Sequence, residues 1–330
     1  MKLWQYGALR NELEDAIHLV TGPIPAVASL TKGQLLVRIL TVSLNPVDYK
    51  LPESCVGSIS IHRPAIPGLD FCGQAIAAHK SVNAFKQGQL IFGGFSRTPQ
   101  HGTLAEYTIV AASECALVPD NVELEQAAAA TTAATTALQS LLPDIVKTGA
   151  NIFINGGSGG FAKIMGAKVT TSCSTTAIEL CKQLGADEVI DYKQSDVIAD
   201  LKSRGAVFDL VVDNVGSTSD LYNLSSTILK SGGTFVQVGL GSTVNLTGVA
   251  MVIYRSLLGY ASALIGGRKY YFVQAQNVTK SLDQIAQWMT EGRAKAVIDG
   301  RYAFTEVPQA IRKLKQGHSR GKIVIRVAEV

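Results

Sequence analysis

The sequence predicts an α/β protein in which a β-rich part precedes a doubly wound parallel sheet. Three observations support this class. The chain has 330 residues, of which 47% are apolar and 17% charged, so it can bury the cores of two domains. Short apolar runs broken by prolines fill residues 1–120, which is typical of strands and turns. Further along, continuous apolar strands alternate with helices, which indicates a parallel sheet covered on both faces.

The β-rich part and the segment after it contain the first predicted elements. We predict strands at 33–42 and 73–78, separated by loops that carry Pro46, Pro52, Pro64 and Pro67. Residues 124–142 are rich in alanine and leucine and contain no glycine or proline. This composition predicts a buried helix despite its threonines.

The alternating part gives a longer series of elements. Its strands are predicted at 151–155, 168–171, 188–191, 208–213 and 234–238. Its helices are predicted at 176–184, 196–203 and 221–229, with Gly185 and Gly232-Gly233 as helix stops. Near the C-terminus the pattern predicts helices at 282–290 and 308–315 and a strand at 322–327.

A glycine-rich turn follows the predicted strand at 151–155. Gly157, Gly159 and Ala162 fit the spacing G-x-G-x-x-[G/A], in which glycines allow a tight turn and a close approach to a pyrophosphate. The start of the next helix offers free N–H groups to a phosphate. The alternative is that these glycines only form a tight turn. The strands and helices around them favour a dinucleotide-binding Rossmann domain.

The end of the second strand of this domain bears on the choice of cofactor. Folds that prefer NAD place an acidic residue there, which binds the ribose 2′-hydroxyl. Here the segment Thr171–Thr176 contains hydroxyls and no acid, and this favours NADPH. The alternative role for Ser174 or Thr175 is that of a helix N-cap.

Charge and cysteine usage narrow the class of protein. The net charge is +4 with both signs interspersed, so no nucleic-acid partner is predicted. The N-terminus carries early acidic residues and no apolar run, so we predict no secretory signal and a cytoplasmic location. The cysteines are Cys55, Cys72, Cys115, Cys173 and Cys181. They form no C-x-x-C motif, which argues against a zinc knuckle or a disulfide framework. This cysteine usage favours a reducing compartment.

One segment, 248–267, is almost wholly apolar and is interrupted by Arg255. A membrane-spanning helix needs roughly 20 apolar residues, and a central arginine costs roughly 2.5–3.5 kcal/mol. We therefore predict no membrane association. The segment is expected to be buried or to face a second subunit, which suggests a homodimer.

Six short motifs occur in an order that resembles one superfamily. They are Asn45–Lys50 (N-P-V-D-Y-K), Pro67–Gly73 (P-G-L-D-F-C-G), Gly102–Tyr107, Gly156–Gly160, Gly185–Tyr192 and Gly321-Lys322. Spread over nearly the whole chain, they resemble the zinc-independent medium-chain dehydrogenase/reductase superfamily. Within it, they resemble most the branch of quinone oxidoreductases and fungal trans-enoyl reductases.

The resemblance implies both an architecture and a cofactor site. A GroES-like catalytic domain is expected from residues 1–120 and 277–330, with a Rossmann domain that binds NADPH at 121–276. Asn45 would face the nicotinamide. The other cofactor residues implied are Thr136, the turn residues Gly157, Ser158, Gly159 and Gly160, the 2′-phosphate residues Ser172, Ser174 and Tyr192, and the strand-end residues Asn214, Val238 and Gly239.

The resemblance also implies chemistry without a metal. Zinc-containing members carry their ligands where this chain has Asn45, Asp48 and Leu69-Asp70. We therefore expect hydride transfer from NADPH to a conjugated enone or enoyl C=C bond, or to a quinone, with a polyketide synthase as a further partner. Tyr49 and Lys50 are the candidate proton donors. The alternatives are that Tyr49 is a packed aromatic residue and that the proton comes from water.

The helix after the glycine turn is about seven residues shorter than the resemblance implies, which is close to two turns of ~3.6 residues. We expect part of one sheet face to lose its cover, and cofactor affinity and stability to be lower. The rival hypothesis is a catalytically impaired family member that acts as a binding or scaffold protein.

Overall fold

The computed structural model describes residues 1–9, 12–142, 145–157, 160–216, 219–239, 244–317 and 319–329. The chain divides into two compact units. The first comprises Met1–Thr135 and Ala275–Val330, and the second comprises Thr136–Gln274. One unit is rich in β-structure and the other contains a parallel sheet with helices, so the predicted α/β class is confirmed.

The structure assigns the following elements. The strands are β1 (Lys2–Gln5), β2 (His18–Thr21), β3 (Gln34–Leu44), β4 (Asp70–Ala78), β5 (Leu90–Gly94), β6 (Tyr107–Ala111), β7 (Cys115–Leu117), β8 (Asn151–Asn155), β9 (Lys168–Cys173), β10 (Glu188–Asp191), β11 (Phe208–Asp213), β12 (Leu229–Gln237), β13 (Lys269–Phe272), β14 (Ile298–Ala303) and β15 (Lys322–Arg326). The helices are α1 (Leu13–Ala16), α2 (Val47–Lys50), α3 (Cys55–Ser60), α4 (Leu124–Ser140), α5 (Gly160–Ile164), α6 (Ile178–Gln183), α7 (Val197–Arg204), α8 (Ser219–Ile228), α9 (Leu246–Leu264), α10 (Thr279–Thr290) and α11 (Val307–Lys315).

The first unit is organised around β3. Its main sheet has the order β14-β15-β3-β4-β5-β7, with β6 also paired to β3, and β1 and β2 form a separate antiparallel pair. The predicted strands at 33–42 and 73–78 are confirmed, but both are longer than predicted. β3 continues to Leu44, just before Pro46, and β4 begins at Asp70, just after Gly68 with φ +100°. Ser43 pairs with Asp70 in the antiparallel register, so these two strand ends lie side by side.

The second unit contains a parallel sheet with the strand order β10-β9-β8-β11-β12-β13. This is the strand order of the Rossmann fold. β9 and β10 follow on one side of β8, whereas β11, β12 and β13 follow on the other side. The predicted bounds of β8, β10 and β11 are confirmed. The prediction that Gly232-Gly233 ends a helix is wrong, because both glycines lie within β12. A break in register opposite Phe208–Leu210 accommodates them, and Gly232 has φ +72°.

The crossover helix α5 is short, with five residues, as the sequence predicted. Its end is closed by hydrogen bonds from Gly166 N to Lys163 O (2.9 Å) and from Ala167 N to Ala162 O (3.1 Å). The expectation that part of a sheet face is uncovered is wrong. The apolar residues on that face of β8, β9 and β11 are buried because Leu141 and Val146, from the end of α4 and the following loop, pack against them with Ala162.

The apolar segment at 248–267 forms most of α9, whose N-terminus is capped by the Asn245 side chain (2.7 Å to Gly248 N). Arg255, the residue that interrupts it, is buried. Its Nη1 donates to Gln237 Oε1 at 2.8 Å, and its guanidinium carbon lies 4.4 Å from the ring centroid of Tyr222. Within the described residues, we find no helix with the length and apolar character needed to span a membrane.

Candidate functional site

The carboxyl edge of the parallel sheet brings several predicted cofactor residues together. Gly157 follows β8, Asn214 follows β11, and Val238 and Gly239 follow β12. Gly156 has φ +71°, and a Cβ at Gly157 would lie 2.8 Å from Asn214 Nδ2. The turn after β8 therefore lies against the Asn214 side chain in the turn after β11, and the positive φ of Gly156 favours glycine there.

Some other predicted cofactor residues of the second unit lie on helices or outside the described residues. Gly160 is the first residue of α5, and Ser158 and Gly159 lie outside the described residues. Thr136 is half-buried in α4, in the part of the helix that belongs to the second unit.

A buried carboxylate that sequence reasoning missed holds the turns after β8 and β11. Asp213 ends β11 and is 1% exposed. Its Oδ1 accepts hydrogen bonds from Asn155 Nδ2 (2.9 Å), Val215 N (3.1 Å) and Gly216 N (3.0 Å). One oxygen thus connects the last residue of β8 to the turn after β11.

The hydroxyl groups of Thr171 and Ser172, at the end of β9, form hydrogen bonds with the glycine turn. Ser172 is buried; its Oγ donates to Asn155 Oδ1 at 2.7 Å and accepts from Gly156 N at 3.2 Å. Thr171 Oγ1 contacts the carbonyl oxygens of Ile154 (2.8 Å) and Gly157. The hydroxyl hydrogen of Ser172 is thus directed to Asn155, and its oxygen supports the glycine turn; its contact with a 2′-phosphate stays a prediction.

Three polar side chains lie where β9 and β10 end; Tyr192 and Lys193 are exposed and Ser174 is half-buried. Ser174 and Tyr192 are adjacent, since Tyr192 N donates to Cys173 O at 3.1 Å. Lys193, which sequence reasoning missed, places Nζ 5.4 Å from the ring centroid of Tyr192. Together, a lysine, an exposed tyrosine and a half-buried serine offer suitable hydrogen-bond donors for a phosphate group.

In the first unit, a buried polar cluster forms around Asn45. Asn45 Nδ2 donates to Asp70 Oδ2 at 2.8 Å, and Asn45 Oδ1 accepts from Lys322 Nζ at 2.6 Å. Lys322 Nζ also lies 3.3 Å from Asp70 Oδ2. Thr132 Oγ1 donates to Asp70 Oδ1 at 2.5 Å. The sequence resemblance placed Asn45 and Asp70 at corresponding ligand positions of zinc-containing members, but it assigned no role to Lys322.

Asp48 lies beside this cluster and is almost completely buried. Burial raises the pKa of Asp48 to about 7, and the neighbouring Asp70 carboxylate contributes in the same direction. Its Oδ2 accepts from Asn45 N at 2.7 Å, whereas Oδ1 has no hydrogen-bond partner among the described residues. Asp48 is therefore a carboxyl group that the fold favours in its neutral form.

This raised pKa predicts a pH-dependent stability. Folded Asp48 keeps its proton up to about pH 7, whereas in the unfolded chain it releases it near pH 3.9, so the folded state binds more protons between these values. The stability that Asp48 contributes below about pH 4 is therefore lost as the pH rises to about 7. Asp48→Asn removes the titration, so we expect the variant to gain about 2–4 kcal/mol relative to the wild type across this window. Urea denaturation of both proteins from pH 4.5 to 8 measures the difference, and a constant difference would contradict the assignment.

The candidate proton donors Tyr49 and Lys50 belong to α2. The Tyr49 ring faces Lys315, with 5.3 Å from Nζ to the ring centroid. Burial raises the pKa of Tyr49 and lowers that of Lys50. Packing against Lys315 favours the alternative in which Tyr49 is a structural aromatic residue.

A group of acidic side chains, Glu12, Glu14 and Glu53, has the spacing to surround a cation. Lys315 Nζ already lies 2.6 Å from Glu14 Oε2 and 2.5 Å from Glu53 Oε1, and it also contacts Glu12. The single lysine contacts all three carboxylates and offsets part of their negative charge, so the group is an internal ion-pair network.

The second unit fits a dinucleotide on structural grounds. Gly156, Gly157, Gly216 and Gly239 form the turns at the edge of the sheet, and a Cβ at any of the four would lie within 3.0 Å of a neighbouring atom. Such a turn leaves room for a pyrophosphate. The exposed side chains of Tyr192 and Lys193 and the half-buried side chain of Ser174 lie at the adjacent strand ends, where the adenosine ribose lies in this fold.

Comparisons with known proteins agree with this architecture. The family described as alcohol dehydrogenase GroES-like domain matches residues 31–120, and the family described as zinc-binding dehydrogenase matches residues 184–325. The chain is 36% identical to the trans-enoyl reductase pgmF of Aspergillus terreus, over 100% of this chain and 97% of the relative. It is 30% identical to the mitochondrial NAD(P)H oxidoreductase RTN4IP1 of Bos taurus, over 89% and 82%. The solved quinone oxidoreductase from Coxiella burnetii has a TM-score of 0.82 and 26% identity, over 99% of both chains.

Proposed function

We propose that this chain, which belongs to the medium-chain dehydrogenase/reductase superfamily in its enoyl reductase and quinone oxidoreductase branch, uses NADPH to reduce a conjugated C=C bond or a quinone without zinc. Its relatives are oxidoreductases, and the family implies a nicotinamide cofactor. The choice of NADPH, the substrate and zinc independence are our proposals. We assign the first unit to substrate and catalysis and the second to the nucleotide.

One observation supports the preference for NADPH over NADH. Tyr192 and Lys193 are exposed and Ser174 is half-buried at the ends of β9 and β10, and β9 does not end in a carboxylate. A carboxylate there would repel a 2′-phosphate, whereas hydroxyl and ammonium groups donate hydrogen bonds to it. We therefore assign the 2′-phosphate to these three residues and leave Ser172 to support the turn.

The reaction adds a hydride and a proton across the substrate double bond. NADPH supplies the hydride. The chain's contribution is binding and orientation: the turns after β8, β11 and β12 receive the dinucleotide, and Asn45 is assigned to the nicotinamide side. The proton reaches the substrate from water, or from Tyr49 or Lys50.

Zinc independence is supported by the charge at the cluster around Asn45. The Lys322 ammonium lies within hydrogen-bond distance of Asn45 Oδ1 and near Asp70 Oδ2, which are the oxygens that a dication would need. A lysine ammonium in this place repels a metal ion. Metal analysis of the purified protein, with activity measured before and after a chelator, tests this point.

The scaffold hypothesis is less well supported. The sheet face expected to be uncovered is buried, and the relatives named as reductases align over nearly the whole chain. The shortened α5 therefore leaves a sheet and turns that are consistent with catalysis.

The experiment that tests the proposal is a titration of the purified chain with NADPH and with NADH, followed by nicotinamide fluorescence. We expect micromolar binding with a clear preference for NADPH. A screen of an enone, an enoyl thioester and a quinone then identifies the acceptor, and turnover of the thioester would support a polyketide synthase as the source of substrate. Binding of neither nucleotide would overturn the proposed function.

Lys193 provides a sharper test of cofactor choice. We expect Lys193→Ala to weaken NADPH binding about tenfold, which corresponds to ~1.4 kcal/mol, and to leave NADH binding unchanged. Lys230→Ala is the matched control, since Lys230 pairs with Asp209 at the opposite end of β11. An equal loss for both nucleotides would mean that Lys193 does not contact the 2′-phosphate.

We also propose that a second copy of the chain covers α9. Several large apolar side chains on this helix are more than half exposed, and the neighbouring β13 is an edge strand of the sheet; they are Ile253, Tyr254, Leu257, Tyr260 and Leu264. Light scattering is expected to give about twice the 35.0 kDa of one chain. A cytoplasmic location also remains a proposal.

A further inference from the structure

We propose that Lys322 and Asp70 are positioning residues that orient the Asn45 carboxamide, so that its remaining amide hydrogen binds a carbonyl oxygen during hydride transfer. The inference deepens the proposed function and rests on it. Neither Lys322 nor Asp70 is among the residues to which the sequence assigned a cofactor role.

The charges on either side of Asn45 determine which way its amide points. Lys322 Nζ is 2.6 Å from Asn45 Oδ1, and Asp70 Oδ2 is 2.8 Å from Asn45 Nδ2. The reverse orientation would place the amide NH2 against an ammonium group and the amide oxygen against a carboxylate. Because both contacts would then be repulsive, only one orientation is stable.

The groups that hold Asn45 are themselves fixed. Asp70 is fully buried and accepts from Thr132 Oγ1, which in turn accepts from Asn277 Nδ2 at 3.1 Å. The backbone N–H of Asn45 donates to Asp48 Oδ2 at 2.7 Å. The carboxamide is therefore anchored through its side chain and its main chain, which is the arrangement needed for preorganised catalysis.

One amide hydrogen of Asn45 has no partner among the described residues. The ammonium on its oxygen polarises the amide and strengthens this hydrogen as a donor. A carbonyl oxygen is the acceptor that suits it. Two carbonyl groups would meet it in an enone reductase: that of the nicotinamide carboxamide, and that of the substrate, on which negative charge develops as hydride adds to the β-carbon.

The test compares two variants at the cluster with one control variant elsewhere in the same unit. Lys322→Met with Asp70→Asn removes both charges together, so neither is left buried without its partner. Lys322→Arg keeps the positive charge. Lys313→Met is the matched control, since Lys313 is a lysine of the same unit that pairs with Asp299. For each protein, the NADPH dissociation constant, kcat and KM for an α,β-unsaturated ketone, and the melting temperature are measured.

We expect the double variant to fold and to lose about tenfold or more in kcat. Lys322→Arg, which keeps the charge, is expected to retain more kcat than the double variant, and Lys313→Met is expected to stay near the wild type. A loss in kcat with an unchanged NADPH dissociation constant assigns the donor to the substrate carbonyl. A weaker NADPH complex assigns it to the nicotinamide carboxamide. Wild-type values of kcat and of the NADPH dissociation constant in the double variant would overturn the inference while leaving the proposed function intact.

A second measurement separates positioning from a general structural effect. Asn45→Ala removes the donor and leaves Lys322 paired with Asp70. If these two residues act through Asn45, their replacement in the Asn45→Ala background changes kcat by less than about twofold. A further loss as large as that seen in the wild-type background would show that they act independently of Asn45, and would also overturn the inference. Both tests need an active wild type, so an inactive wild type reports on the proposed function instead.

Discussion

Replacing Gly216 with alanine is expected to destabilise the second unit strongly and to abolish nucleotide binding. Gly216 has φ +67°, a conformation that costs an alanine about 1–2 kcal/mol. Its added Cβ would also lie 2.0 Å from Gly239 O and 2.3 Å from the Gly239 carbonyl carbon. Because these are backbone atoms, the turns after β11 and β12 must move apart. With overpacking of ~1–3 kcal/mol, we expect a total loss of about 2–5 kcal/mol.

Gly205 offers a matched control for this experiment. It has φ +69°, but no atom lies within 4 Å of the position of an added Cβ. Gly205→Ala therefore carries the backbone strain alone, which at ψ −161° is about 1–3 kcal/mol, and is expected to bind NADPH like the wild type. Urea denaturation and nucleotide titration of both variants test the contrast. Equal losses of stability would show that the close approach of the two turns has no energetic consequence.

The architecture of the second unit was predictable from sequence because its signal is local. Short apolar runs such as Leu210–Val212 indicate buried parallel strands, and the structure confirms the predicted strand Phe208–Asp213 residue for residue. The glycines after β8 likewise reflect a conformational requirement of the turn itself. Where a local pattern allowed two outcomes the prediction failed: Gly232-Gly233 fits a helix stop as well as an irregular strand.

The parts of the candidate site that the sequence did not reveal depend on contacts between distant residues. Lys322 and Asn45 are separated by 277 positions, and no periodicity connects them. They meet because β15 pairs with β3, and that pairing depends on the whole sheet. The burial of the sheet face behind α5 has a similar origin, since Leu141 and Val146 come from a different part of the chain. Ser172 shows that a residue type can fit a role while its hydrogen is already used elsewhere.

Replacing Asp213 with alanine is the second change from which we expect a large effect. Three donors share Asp213 Oδ1, and they come from the end of β8 and from the turn after β11. Removing this carboxylate leaves three donors without a partner inside the protein. The loss of folding free energy is therefore larger than for a single hydrogen bond between neutral groups. We expect a loss of about 2–4 kcal/mol and at least tenfold weaker nucleotide binding, since both turns lose their common anchor.

Asp209, at the other end of β11, shows whether this effect depends on position. Its side chain is 29% exposed, accepts from Asn151 N at 2.8 Å and pairs with Lys230. Because water can replace these partners, Asp209→Ala is expected to cost about 1 kcal/mol or less and to leave nucleotide affinity unchanged. If Asp209→Ala weakens nucleotide binding as much as Asp213→Ala, the effect comes from general loosening of the sheet. If only Asp213→Ala does so, the carboxyl edge of the sheet, with the turns that Asp213 joins, is the nucleotide site.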